Sequence, residues 1–223
     1  GLHNTMACYA LNGLVGSVGA EGGVLRFPSP PVAKLPDTAP FQDDVARSAN
    51  AQPVIDGRDR VGALAAKGGQ IHANQTTNRT ADSILTDSPY PLDTLIAYWV
   101  NWAYSCTGAQ RWEQALAKVP FFVYATTHLS ETAMFADIVL PARHHAFEEW
   151  GFARSRQGGV TCVTVEQPCV ESPGECKGDE TEFPYLLAEK LAERGFNALL
   201  RYYHSIAHPA TSAPPRNGRE LGE

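Results

Sequence analysis

Apolar positions along this chain fall into blocks separated by long polar or proline-rich stretches, and the spacing inside each block predicts its element. Met6 to Val15 carries helical spacing and runs into GSVGAEGG, where Gly16, Gly19, Gly22 and Gly23 allow a tight exit and a return into Val24 and Leu25. Residues 26–60 hold six prolines with little periodicity and residues 68–90 are again polar, so a long irregular excursion is expected over 26–90. A strand is expected from Thr94 to Val100, running into Asn101 with Trp99 and Trp102 on either side. Ala109 to Lys118 has helical periodicity through Trp112, Leu116 and Val119; Val119 to Val123 is a continuous apolar run of strand length, and Ile138 to Leu140 is a second that ends at Pro141. Strand, Asn-bearing turn, helix, strand is the crossover unit of a parallel sheet. Residues 91–200 therefore read as α/β, a partial parallel sheet forming a dinucleotide-binding-like layer, with residues 1–25 as a helix and glycine-rich turn of the same core. Val160 to Glu166 is expected to add a further strand, and Glu182 to Arg194 a helix covering one face through Leu186, Leu187 and Leu191. Beyond Gly195 the pattern decays, and residues 201–223 read as a tail that cannot bury much surface and is expected to be disordered.

In open parallel sheets ligands sit beyond the carboxyl ends of the strands. The chain leaves its central strand through Ala125, Thr126, Thr127 and His128, which do not extend a buried strand comfortably. Ser130, followed by Glu131, Thr132 and Ala133, has the residue types of a capped helical turn whose N–H groups would face an anion such as a diphosphate. The glycines of GSVGAEGG lack the Lys-Ser/Thr of a phosphate-cradling loop and follow a helix rather than open one, so they read as helix termination.

Composition narrows the partners. The chain has 223 residues, 43% of them hydrophobic, enough for one real core or two small ones. A net charge of −6, from 18 basic against 24 acidic residues with no basic block, argues against nucleic-acid binding. No apolar run approaches the ~20 residues needed to span a bilayer, so no direct membrane insertion is expected. The amino terminus shows no export signal, and because it starts at Gly1 and enters a helix directly it reads as a piece of something longer. Cys162, Cys169 and Cys176 recur every seven residues, but without a C-x-x-C pair; with Cys8 and Cys106 they read as structural or incidental thiols, a metal or iron–sulfur site being the lesser alternative.

Four blocks carry a family resemblance. SETAMFADIVLP with EEWG, at residues 130–151, resembles the T-E-T-A-x-x-A-D-x-V-L-P and E-x-x-G segment of the molybdopterin oxidoreductase (dimethyl sulfoxide reductase) superfamily. MACYALNGLVGSVGAEGGVL at 6–25, YPLDTLIAYWVNWAYS at 90–105 and SPGECKGDETEF at 172–183 are similar, in the same order, to that family's A-L-N-x-L-x-G block, its strand ending in G-x-N-P and its P-G-E-A-K-x-D block. The A-L-N-x-L-V-G-S block most resembles the polysulfide, thiosulfate, tetrathionate and arsenate reductase branch.

The resemblance implies site residues. Asp179 matches an Asp that contacts the guanosine part of molybdopterin guanine dinucleotide in relatives, and a carboxylate suits the paired N–H groups of guanine; capping the Glu182 helix is the competing role. Asn101 matches the Asn of G-x-N-P, also a dinucleotide contact, although Trp102 stands in place of the Pro and closing a turn would equally employ an Asn. Ala125 and Thr126 fall where relatives read the cofactor, with Thr126 in place of an Asp. His128, His144 and His145 are each able to donate to a phosphate or to serve as ordinary surface or packed histidines. Glu149 falls near a position where some relatives carry Lys, a mismatch for an anionic ligand. Asp137 reads as ordering the turn before its strand.

By this resemblance the chain is expected to be a fragment, or one chain, of the catalytic subunit of a larger multidomain molybdenum or tungsten bis(molybdopterin guanine dinucleotide) oxidoreductase. Its share of the oxygen- or sulfur-transfer chemistry would be cofactor binding, and alone it would be inactive. The iron–sulfur cluster and the metal-ligating side chain would lie in the remaining segments of the subunit or in an iron–sulfur electron-transfer partner. The setting implied is anaerobic respiration in the periplasm. The alternative is a non-catalytic α/β binding or assembly module that has lost its cofactor contacts.

Overall fold

A computed structural model describes residues 2–25, 35–56, 77–157, 160–178, 181–207 and 211–222. Its centre is a three-stranded parallel sheet in the order β1-β2-β3, with β1 Thr94–Tyr98, β2 Phe121–Thr126 and β3 Ile138–Pro141. The register sets Tyr98 beside Ala125 and Ala125 beside Leu140, so the three strands end level with one another. The sheet continues for one more step, because Ala142 forms a parallel bridge with Lys177, in which Arg143 N donates to Lys177 O (3.0 Å) and Lys177 N to Pro141 O (3.2 Å).

The crossover from β1 to β2 supplies the core. It holds a short helix, Trp102–Ser105, and a longer one, Ala109–Lys118, and the Trp112, Ala115 and Leu116 side chains of the latter are buried against Phe122 and Tyr124 of β2. Trp102 stacks flat on Trp112, with centroids 5.2 Å apart and planes within 5°. Helix Thr77–Thr86 packs on the same core through Ala81 and Ile84. Asp137 ties the start of β3 to β2: its Oδ2 accepts from Phe122 N (2.7 Å), while its own N donates to Phe122 O (2.8 Å). That is the turn-ordering role its place in the sequence suggests.

Several elements differ from the sequence expectation. The 26–90 stretch contains the Thr77–Thr86 helix and a second one, Asp44–Asn50, capped by Asp43, whose Oδ1 accepts from Ala46 N at 2.8 Å. Polar residues surround the few apolar positions of Thr77–Thr86, and Ala81 and Ile84 pack it on the core. Val160–Glu166 is a strand, but it pairs antiparallel with an unexpected strand, Gly151–Gln157, in a separate two-stranded sheet. Helix Glu182–Glu193 buries Tyr185 and Ala188 rather than Leu186, which is 42% exposed. The reason is what it packs on: Tyr185 Oη lies 3.0 Å from His204 Nε2 and donates to the carbonyl of Pro215 (3.1 Å), and residues 211–222, expected to be disordered, include the helix Gly218–Gly222. A Cβ on Gly218 would sit 2.3 Å from Glu182 Cα, so the tail approaches that helix as closely as glycine permits.

Trp112 is fully buried in the crossover. Trp112→Ala is expected to cost about 3–5 kcal/mol in urea unfolding; a loss below about 1 kcal/mol would show that this packing does not hold the sheet.

Candidate functional site

The parallel order and level register bring the loops after β1, β2 and β3 to one edge. Lys177 and Gly178 reach the same edge beside Ala142. The loops after β1 and β2 are joined by a clasp centred on Asn101. Its Nδ2 donates to Glu131 Oε2 (2.7 Å), and its Oδ1 accepts from Thr132 Oγ1 (2.9 Å) and Thr132 N (3.3 Å). Thr132 is fully buried, and its Oγ1 in turn accepts from Ala103 N (3.1 Å). Asn101 therefore spends its amide on joining loops.

This corrects one expectation. Glu131–Phe135 is a short 3-10 turn and Ser130 makes no side-chain cap to it. The Thr132 N–H, which was expected to face an anion, is taken by Asn101. Asn101, and then Glu131's own backbone N–H, hold the Glu131 carboxyl below the usual carboxylate range, so it stays ionised at the rim.

Ala125 is buried within β2, paired with Tyr98 and Leu140, and brings no polar side chain to the edge. Thr126 is turned back on its own loop: its hydroxyl donates to the His128 carbonyl (2.7 Å) and accepts from His128 N (3.3 Å). That shapes the loop and presents His128, whose Nδ1 lies 2.7 Å from Thr127 Oγ1. His128, His144 and His145 then form a row with Trp99. Ring centroids are 6.2 Å apart for His128 and His144, 5.3 Å for His144 and His145, and 4.5 Å for His145 and Trp99. Trp99 sits at φ 57°, the left-handed region that a bulky residue occupies only where its surroundings hold it.

Glu149 lies at the Gly178 end of this edge: a Cβ on Gly178 would be 2.0 Å from Glu149 Oε1, so glycine lets the carboxylate close over the backbone. Asp179 lies outside the described residues. Arg143 is paired with Glu182 (2.7 Å), and Glu182 Oε2 also accepts from Gly178 N (2.8 Å). A cleft of about 560 Å³ runs past Arg143, Glu149, Lys177 and Glu182, and another of about 560 Å³ opens at the end of β1 past Trp99, Asn101 and Trp102. Cys106 lines the second cleft; burial pushes its thiol up, away from thiolate reactivity. Among the described residues no three His, Cys, Asp or Glu are placed to hold a metal ion.

The donor set at this edge, three imidazoles, the Thr127 hydroxyl and the Lys177 ammonium, suits the phosphates of a dinucleotide. Glu131 and Glu149 suit hydrogen-bond donors such as ribose hydroxyls or base N–H groups. Sequence reasoning placed Glu131 and Thr132 only in a capped turn; their part in the clasp comes from bonds to Asn101, 30 residues away in the case of Glu131. It also passed over Lys177, although Lys177 stands within the P-G-E-C-K-G-D block.

Residues 2–182 match the family model described as Molybdopterin oxidoreductase. The arsenate respiratory reductase molybdopterin-containing subunit ArrA of Shewanella sp. (strain ANA-3) is 35% identical over 225 residues, covering 100% of this chain and 26% of that protein. ArrA of Chrysiogenes arsenatis is 38% identical over 222 residues, 99% of this chain and 26% of that protein. The chain thus spans about a quarter of the length of these curated relatives. Among solved structures, acetylene hydratase from Pelobacter acetylenicus superposes with a TM-score of 0.46 and 22% identity, over 67% of this chain and 20% of that one.

Asn101→Ala leaves the buried Thr132 N–H and hydroxyl without their acceptor and is expected to cost about 1–3 kcal/mol of stability by urea unfolding. The Glu131 arm of the clasp has a lowered folded-state pKa, so its contribution is complete above the ordinary carboxylate pKa and is lost as pH falls through the lowered one. In Glu131→Gln this acid-limb dependence is expected to shrink; an unchanged pH profile would remove Glu131 from the clasp.

Proposed function

The chain belongs to the molybdopterin oxidoreductase family, and from that premise we propose that it forms the cofactor-binding edge of the catalytic subunit of a molybdenum-dependent respiratory arsenate reductase. One observation carries the location: three parallel strands and the Lys177 bridge end level, so the loops after them share one edge rich in phosphate donors. The substrate assignment rests on whole-chain identity to two proteins named as arsenate respiratory reductase subunits.

When bound, the molybdenum cofactor would supply two-electron oxygen-atom transfer. This chain's residues would bind and orient it. His128 and His144 would donate to phosphate oxygens, with Thr127 beside them. The Asn101 clasp would fix the spacing of the β1 and β2 loops, and Asp179, by its place after Gly178 in the sequence, would accept from the N–H groups of a guanine. The guanine dinucleotide form of the cofactor is part of this proposal. So are molybdenum rather than tungsten, an iron–sulfur electron-transfer partner, iron–sulfur ligands elsewhere in the subunit, and a periplasmic setting. No described helix is long and apolar enough to cross a membrane. A non-catalytic module draws no support from the relatives, which are named as molybdopterin-containing subunits.

The test is metal and nucleotide analysis of the polypeptide or assembly that carries this segment, together with arsenate-dependent oxidation of a reduced viologen dye. The expected outcome is molybdenum, GMP released on acid hydrolysis, and arsenate reduction. A folded assembly without molybdenum or pterin would overturn the reading, and one with both but no arsenate turnover would overturn the substrate.

A further inference from the structure

Cys162, Cys169 and Cys176 share one spacing in the sequence, and the fold separates them. Cys162 stands on the strand Val160–Glu166, opposite Ser155 and exposed. Cys169, exposed, and Cys176, half-buried, instead line one cleft, the one of about 560 Å³ that runs past Arg143 and Lys177. The loop between these two thiols is tied at three places to a single stretch of chain. Cys169 N and Val170 N both donate to the Phe147 carbonyl (2.9 and 3.2 Å). Ser172 Oγ donates to Glu148 Oε2 (3.0 Å). Lys177, next to Cys176, is bridged to Ala142, its N donating to Pro141 O (3.2 Å). That stretch is itself folded back, because Phe147 N and Glu148 N both donate to His144 O (3.0 and 2.8 Å). Both thiols are therefore carried on tethered backbone and open to the same cleft.

We propose that Cys169 and Cys176 form a dithiol site for arsenite, the product that arsenate reduction releases. The identity of the metalloid rests on arsenate being the substrate; the dithiol does not. Arsenic(III) is a soft acceptor and thiolates are soft donors. Binding exchanges ligands without electron transfer. Two S–H and two As–O bonds of the thiols and As(OH)3 break, two As–S bonds form, two waters leave, and one hydroxyl stays on arsenic. Two protein sulfurs complete this pyramidal centre, whereas zinc needs three or four protein ligands. Among the described residues no three His, Cys, Asp or Glu are placed to hold such an ion. The walls fit the same ligand: Glu148, Glu149 and Glu171 stand in them beside Arg143, Lys177 and Arg219, and arsenite, uncharged near neutrality, is indifferent to that mixed lining. The second sulfur is supplied at high effective concentration, so the pair holds arsenic more tightly than either thiol alone.

The experiment is titration of the full chain with sodium arsenite, after reduction by a phosphine that is then removed. Thiols left free are alkylated and located by peptide mass spectrometry. At saturation one arsenic per chain is expected, with Cys169 and Cys176 protected from alkylation and Cys162 still reactive. Cys169→Ser and Cys176→Ser are each expected to weaken capture by at least about tenfold. Cys162→Ser, which removes a thiol of the same spacing from outside the cleft, is expected to leave capture unchanged. Protection of Cys162 together with Cys169, or unchanged capture in Cys169→Ser or Cys176→Ser, would overturn the proposal. So would a chain that is folded by circular dichroism and captures no arsenic. Capture is read without cofactor and turnover on the loaded assembly, so the two claims fail separately. Arsenate turnover without capture would overturn the dithiol site alone, and capture without turnover would overturn arsenate as the substrate and leave the dithiol standing.

Discussion

Everything at the candidate site depends on β2 pairing in parallel with a strand on each side. Parallel pairing forces a crossover between strands, and here the crossover carries the Trp112 helix that fills the core. It also forces all three strands to end at the same edge. Residues far apart in sequence thereby meet, Trp99 against His145 and His128 against His144, while the short Ala142–Lys177 bridge draws a fourth segment alongside. An antiparallel arrangement of the same strands would alternate their ends and scatter this set.

The edge combines two kinds of polar group with different jobs. Asn101, Thr132 and Asp137 are satisfied inside the fold, and their hydrogen bonds set the distance between loops. The histidines and Lys177 lie farther out. This division places the cost of ordering the loops within the protein, so a ligand bound at this edge would meet loops already arranged. Thr126 belongs to the first group despite its place at the end of β2, because its hydroxyl is held within its own loop.

Much of this was legible in the sequence where a pattern was local. The Ala109–Lys118 helix, the three strands and the family blocks all follow from spacing over a few residues, and the family match over residues 2–182 agrees with the resemblance read from four of those blocks. What the sequence hid depends on distant contacts. Thr77–Thr86 looked polar because its three apolar residues, Ala81, Ile84 and Leu85, stand among seven polar ones, and Tyr185 outranks the leucines of its helix because its partners, His204 and Pro215, lie beyond it in the chain. The strand Val160–Glu166 was visible, but its partner was not: a two-stranded sheet whose described positions are mostly exposed carries no apolar alternation to announce it. The role of Asn101 was read as either ligand contact or turn closure, and its side chain instead reaches across to Glu131 and Thr132.

The central claim is that the carboxyl edge of the β1-β2-β3 sheet holds the cofactor. The most direct measurement is an experimental structure of the cofactor-loaded assembly that contains this segment. The account predicts dinucleotide density against the loops after β2 and β3, with phosphate oxygens within hydrogen-bonding distance of His128 or His144. Density at the opposite, amino end of the strands, with the histidine row left facing solvent, would contradict it.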